Sequence, residues 1–101
     1  GDQIGIAGSL IIAGSANNWL NRPQEAEPLL LEALAITRRL GHRAGECRAL
    51  QNMVTTQNYL EEEDEQEATA QRGLALAREL GSAEQTASLL RSLGNIALAR
   101  G

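Results

Sequence analysis

GDQIGIAGSLIIAGSANNWLNRPQEAEPLLLEALAITRRL, residues 1–40, aligns without a gap with GHRAGECRALQNMVTTQNYLEEEDEQEATAQRGLALAREL, residues 41–80. Identical residues recur along the whole length, among them the pairs Gly5/Gly45, Leu10/Leu50, Asn18/Asn58 and Leu34/Leu74. Residues 81–101 continue the pattern for half a segment. Self-similarity at a fixed spacing of this size is the signature of a repeat protein. We therefore predict a single repeat domain over residues 1–101, with repeats at 1–40 and 41–80 and a half repeat or capping helix at 81–101.

Each full repeat divides into two predicted helices. In the first half, small, apolar or amide residues recur at steps of three and four, which places them on one stripe of a helix. The stripe consists of Ala7, Leu10, Gly14 and Asn17, then Cys47, Leu50, Val54 and Gln57, then Ala87, Leu90, Gly94 and Ala97. Pro23 can open a second helix, and Gly41 and Gly81 can end one. The predicted helices span 4–20, 24–40, 44–60, 63–80 and 84–100.

Short connections between these helices predict antiparallel neighbours, because a chain that turns within a few residues must run back alongside itself. A single hairpin cannot cover both of its faces, so each repeat needs the next one as a packing partner. The predicted fold class is all-α, with five helices forming antiparallel hairpins stacked as an α-solenoid.

Composition narrows the function classes. Nine arginines and no lysine stand against thirteen acids, for a net charge of −4, so no basic surface is expected for nucleic acid or an anionic membrane. The most apolar stretch, residues 4–16, is shorter than the roughly 20 residues that a membrane span needs. A single cysteine, Cys47, excludes an internal disulfide, and a cytoplasmic location is expected.

Two stretches resemble the tetratricopeptide repeat: EAEPLLLEALAI at residues 25–36 and LLRSLGNIALARG at residues 89–101. The resemblance covers essentially the whole chain. The chain is similar to the longer variety of this repeat, with about forty residues, that occurs in bacterial signalling ATPases and transcription regulators and in some eukaryotic signalling scaffolds. The resemblance implies a right-handed superhelix with small residues where paired helices cross. It also implies a concave face, lined by the first helix of each repeat, that binds proteins.

When the concave-face positions of the family are transferred to this sequence, they fall on Gly8, Ile11, Ser15, Asn18, Arg48, Gln51, Thr55, Asn58, Ser88, Arg91, Asn95 and Leu98. Arginine can hold a carboxylate through two hydrogen bonds, and asparagine can bond the backbone of an extended peptide. The predicted partner-binding residues are accordingly Asn18, Arg48, Gln51, Thr55, Asn58, Arg91 and Asn95. The alternative is that these are solvated side chains of a longer array.

Other reactive residues do not form a recognisable site in the sequence. The acids of residues 61–65 and Glu67 fall at a turn and a helix start, where they complement the helix dipole, and calcium loops have a different pattern. His42 has no second histidine and Cys47 no catalytic partner, so Cys47 is expected to be a small buried residue. We predict no catalytic residue, no metal and no cofactor, and we do not expect an enzyme.

Three functions follow as expectations. The leading one is a protein–protein interaction module that binds a peptide or a helix of a partner in the concave groove. An alternative, carried by the resemblance alone, is a regulatory or sensory segment of a larger bacterial transcription regulator or signalling ATPase. The other alternative is a self-associating structural fragment, a homo-oligomer formed through exposed repeat ends, because one neighbouring helix is not expected to cover all three of Leu89, Leu93 and Ile96.

Overall fold

The computed structural model describes residues 2–101, and every secondary-structure element in this range is an α-helix. The helices are α1 (Gln3–Trp19), α2 (Pro23–Leu40), α3 (Arg43–Tyr59), α4 (Glu63–Leu80) and α5 (Ala83–Ala99). Each predicted helix is present with its ends displaced by at most one residue. The all-helical fold class is therefore confirmed.

The helix ends follow from signals that recur once per repeat. Gly41 and Gly81 end α2 and α4 in the left-handed conformation, with φ of 65° and 69°, which glycine adopts without a Cβ clash. One repeat position caps the starts of the first helices of all three segments. It holds Asp2, His42 and Ser82, whose side chains accept hydrogen bonds from the third residue beyond at 2.9, 3.0 and 3.3 Å.

The helices of each repeat lie antiparallel. Arg39, near the end of α2, donates a hydrogen bond to Gln3 at the start of α1 at 3.0 Å. The equivalent positions of the second repeat form an ion pair, Arg43 with Glu79. Consecutive helices contact one another, α1 also contacts α3, and α3 contacts α5. The helices of the described range therefore pack as hairpins whose first helices are neighbours.

The core lies between the first and second helices and contains mostly aliphatic and alanine side chains. Its fully or almost fully buried members include Ile11, Ala26, Leu30, Ala33, Leu50, Met53, Ala70, Leu76 and Leu89. Of the three apolar residues singled out in α5, Leu89 and Ile96 are buried and Leu93 is partly buried against the core. The apolar residues that α5 exposes are Leu90 and Leu98 instead.

Helices α1 and α2 pack closely at Gly14 of α1. A Cβ atom on Gly14 would lie 2.7 Å from two side-chain carbons of Leu30 in α2, so only glycine fits there without displacement. The equivalent positions of the second repeat hold Val54 and Ala70, and both are buried. The large and the small partner are thus exchanged between the two repeats, which keeps their combined volume similar.

This exchange predicts a non-additive pair of substitutions. Gly14→Val should lower the free energy of unfolding by about 1–3 kcal/mol through overpacking, and Leu30→Ala by about 2–5 kcal/mol through a cavity. The double variant reproduces the Val54–Ala70 pair, so its loss should be smaller than the sum of the single losses. Urea unfolding followed by circular dichroism measures all three. Simple additivity would show that the two side chains do not share one space.

Candidate functional site

A cleft opens between α3, α5 and the first turn of α4. Its volume is about 620 Å³, and its walls combine polar and apolar side chains. The lining residues are Val54, Thr55, Asn58, Tyr59, Glu61, Glu63, Gln66, Ser92, Asn95, Ile96 and Ala99. We call this space the α3–α5 cleft.

Hydrogen bonds between α3 and α5 join the middle of α3 to the first half of α5. Gln51 donates to Ser88 Oγ at 3.2 Å, and Gln85 donates to the side-chain Oε1 of Gln51 at 3.4 Å. Farther along, from Val54 and Ser92 onward, residues 2–101 contain no side-chain hydrogen bond between the two helices. The cleft occupies this unbridged region.

The junction between α1 and α3 is closed at the equivalent place by Asn18, which is only 4% exposed. Its Nδ2 donates to the Asn52 carbonyl at 3.1 Å, and its Oδ1 accepts from the Thr56 hydroxyl at 2.8 Å. The same role would fall to Asn58 at the next junction. There Ile96 stands where Thr56 stands in the first junction, and isoleucine has no hydroxyl to donate. Asn58 is exposed and faces the α3–α5 cleft.

The predicted binding residues are therefore divided among several environments. Thr55, Asn58 and Asn95 meet in the α3–α5 cleft, whereas Gln51 is engaged between α3 and α5. Asn18 is buried and ties α1 to α3, so its assignment to an accessible face does not hold in this structure. Arg91 is exposed and lines no cavity described here.

A second, smaller groove of about 440 Å³ lies between α1 and α3 and contains the remaining predicted residue, Arg48. It is lined by Ile11, Ile12, Ser15, Ala16, Trp19, Arg48 and Asn52. Arg48 and Arg91 do not share a cavity, so the structure does not assemble them into a two-arginine carboxylate site.

Sequence reasoning missed the two aromatic residues as surface features. Trp19 is 89% exposed and lines the smaller groove, while the half-exposed Tyr59 lines the α3–α5 cleft. Both occupy the same repeat position, the last residue of a first helix. This position is the signal that could have identified them, because the final turn of a helix is often only partly covered by its neighbours.

The acidic run forms one rim of the cleft. Glu63, Asp64 and Glu65 occupy the first turn of α4, as predicted for acids that complement a helix dipole. Arg100 forms ion pairs with Glu63, with Asp64 at 2.9 Å and with Glu67 at 2.8 Å. The hydrogen bonds that Arg100 donates to Glu67 and Glu63 raise the pKa of its guanidinium. These pairs fasten the end of α5 to the start of α4 and leave the cleft between them and α3.

His42 and Cys47 have structural surroundings. The Nδ1 atom of His42 caps α3 by accepting from the Gly45 backbone. Cys47 is fully buried, as expected, and its Sγ lies 3.7 Å from the Gly73 carbonyl oxygen. The neighbouring Glu46 carboxylate is also buried and is bound by Arg38 and Arg72 at 3.1 and 3.2 Å.

Across positions 2–101, no three His, Cys, Asp or Glu side chains are grouped in a way that would hold a metal ion. No helix in this range has both the length and the apolar character needed to cross a membrane.

No protein-family model, curated protein or solved structure matches the chain.

The buried position of Asn18 predicts a stability effect. Asn18→Ala should lower the free energy of unfolding by about 1–3 kcal/mol, because it leaves the Asn52 carbonyl and the Thr56 hydroxyl without this partner. Asn58→Ala, at the equivalent exposed position, should change it by less than about 0.5 kcal/mol. Urea unfolding of both variants checks the contrast. Equal losses would mean that Asn18 does not bridge α1 and α3.

Burial also determines the reactivity of Cys47. Desolvation, with a smaller contribution from the Glu46 charge, raises the pKa of the Cys47 thiol, so less of it is thiolate at any given pH. We expect slow modification of the native chain by a chromogenic disulfide reagent at neutral pH and much faster modification in urea. Rapid reaction in the native state would contradict the burial of this thiol.

Proposed function

We propose that the chain is a protein-interaction module that binds an extended segment of a partner protein in the α3–α5 cleft. The observation that carries this proposal is the pair of carboxamides, Asn58 and Asn95, that line the cleft. Neither side chain has a hydrogen-bond partner within residues 2–101. Free amides beside an apolar wall are suited to a peptide, whose backbone offers both donors and acceptors.

The proposal includes the finer architecture, a short α-solenoid of the tetratricopeptide type. Contacts between successive first helices, α1 with α3 and α3 with α5, support it. So does the recurrence of the same caps and the same left-handed glycine in each repeat. In such an array the first helices form one continuous surface, and the cleft lies within that surface.

The composition of the cleft indicates which peptides it would accept. Tyr59, Val54 and Ile96 supply apolar contact for one or two aliphatic side chains. Thr55 and Ser92 add hydroxyl groups that can donate or accept. Of the two acids at the rim, Glu63 is paired with Arg100, whereas Glu61 has no ion-pair partner in the described range. A neutral or basic segment is therefore favoured over an acidic one.

The test uses a random peptide library displayed against the whole chain, followed by fluorescence anisotropy on a recovered peptide. The Asn58→Ala/Asn95→Ala variant should bind about tenfold more weakly, since two hydrogen bonds of about 1 kcal/mol each are lost in part. The matched control is Gln24→Ala/Gln71→Ala, which removes two exposed amides from α2 and α4, outside the cleft.

Three results would contradict the proposal. One is a failure to recover any peptide, and another is binding that the Asn58/Asn95 variant leaves unchanged. The third is a strong loss for Arg48→Ala/Arg91→Ala with no loss for the asparagine variant, which would move the binding surface to the arginines. Circular dichroism on each variant confirms that its helices remain formed.

A further inference from the structure

Helix α5 carries an uncovered copy of the stripe that α1 buries. The stripe of α1 is Ala7, Leu10, Gly14 and Asn17, and that of α5 is Ala87, Leu90, Gly94 and Ala97. The first three residues of the two stripes are identical in type and spacing. None of the four α5 residues lines the α3–α5 cleft, so this surface is separate from the proposed peptide site.

The chain itself shows what kind of element covers such a stripe. In α1, Ala7 and Gly14 are buried and Leu10 packs on the core, with Leu30 of α2 lying over Gly14. The equivalent stripe of α3 is also buried, and α4 contacts it through the Gly73 carbonyl beside Cys47 and through Gln66 on the Val54 carbonyl. In both cases the cover is the antiparallel helix of the same hairpin.

In α5 the stripe is open. Leu90 is 46% exposed, and Ala87, Gly94 and Ala97 are exposed as well. A Cβ atom on Gly94 would meet nothing within 4 Å, whereas one on Gly14 would collide with Leu30. The space above Gly94 therefore corresponds to the space that the Leu30 side chain fills above Gly14.

We propose that the Ala87–Leu90–Gly94–Ala97 stripe is a docking site for an amphipathic helix of the α2 type, supplied by a partner protein. The docked helix runs antiparallel to α5 and sets a large aliphatic residue on Gly94. In the docked helix, small residues stand four positions before this large residue and three positions after it. In α2 these three positions are Ala26, Leu30 and Ala33, all fully buried.

The size of residue 94 selects the partner. In the first repeat this position of the first helix is Gly14, and its counterpart in the second helix is Leu30. In the second repeat the two positions hold Val54 and Ala70. A helix with leucine at the central position should thus fit α5 as it stands, while a helix with alanine there would leave a cavity over Gly94. The docking site discriminates between α2-like and α4-like helices by one side chain.

The experiment uses a labelled synthetic peptide with the sequence of residues 22–41, RPQEAEPLLLEALAITRRLG, added to the whole chain and followed by fluorescence anisotropy. We expect saturable binding that Gly94→Val weakens at least about tenfold, because valine occupies the leucine space. A peptide carrying Leu30→Ala should bind the Gly94→Val variant better than the unmodified peptide does. Gly8→Val, an α1 substitution outside the stripe with open space around it, is the matched control.

Spectra of the ¹⁵N-labelled chain locate the bound peptide. The amide signal of Gly94 should shift on titration, and that of Gly14 should not. Binding that persists in Gly94→Val, or a shift at Gly14, would mean that the peptide displaces the chain's own α2, and the proposal would fail. No binding up to about 1 mM peptide would also overturn it. The Gly94→Val variant should no longer bind the residue 22–41 peptide but should still bind the peptide recovered for the α3–α5 cleft. This result would show that the two sites are separate.

Discussion

The close approach of α1 and α2 at Gly14 is the contact on which the rest of the structure depends. Leu30 sits directly on the glycine, and this brings the apolar stripes of the two helices near enough to exclude water. The same register recurs in the second repeat with valine and alanine in exchanged places. Because the stripes of α1 and α3 are covered by α2 and α4, other residues of these two helices remain to contact the neighbouring first helix and solvent.

Those remaining residues decide whether the junction between two first helices is closed or open. Asn18 reaches across to Thr56 and to the backbone of α3, and these hydrogen bonds bridge α1 and α3. At the next junction Ile96 replaces the hydroxyl partner, and a cleft lies in front of Asn58. A difference of one side chain thus accounts for a buried amide at one junction and an accessible amide at the other.

The sequence was sufficient to predict the helices because their signals are local. Periodicity, Pro23 and the two left-handed glycines lie within the segments that they delimit. The binding surface depends on neighbours from different repeats, and repeat position alone does not specify those neighbours. Repeat position assigned Asn18 and Asn58 to the same face, but the structure buries Asn18, whose partner Thr56 comes from the next repeat, and leaves Asn58 exposed in the cleft with Thr55 and Asn95. Trp19 and Tyr59 were missed because an aromatic residue in a helix pattern reads as core until its exposure is known.

The bridge made by Asn18 and the cleft in front of Asn58 together imply that, at this level, α3 lies closer to α1 than to α5. Exposed, register-equivalent residues stand on the three first helices at Ser15, Thr55 and Asn95. Pulsed electron resonance between spin labels at these positions, in a chain carrying Cys47→Ala, measures both junctions on one scale. We expect a longer Thr55–Asn95 distance than Ser15–Thr55 distance, and equal distances or the reverse order would contradict this arrangement of the three helices.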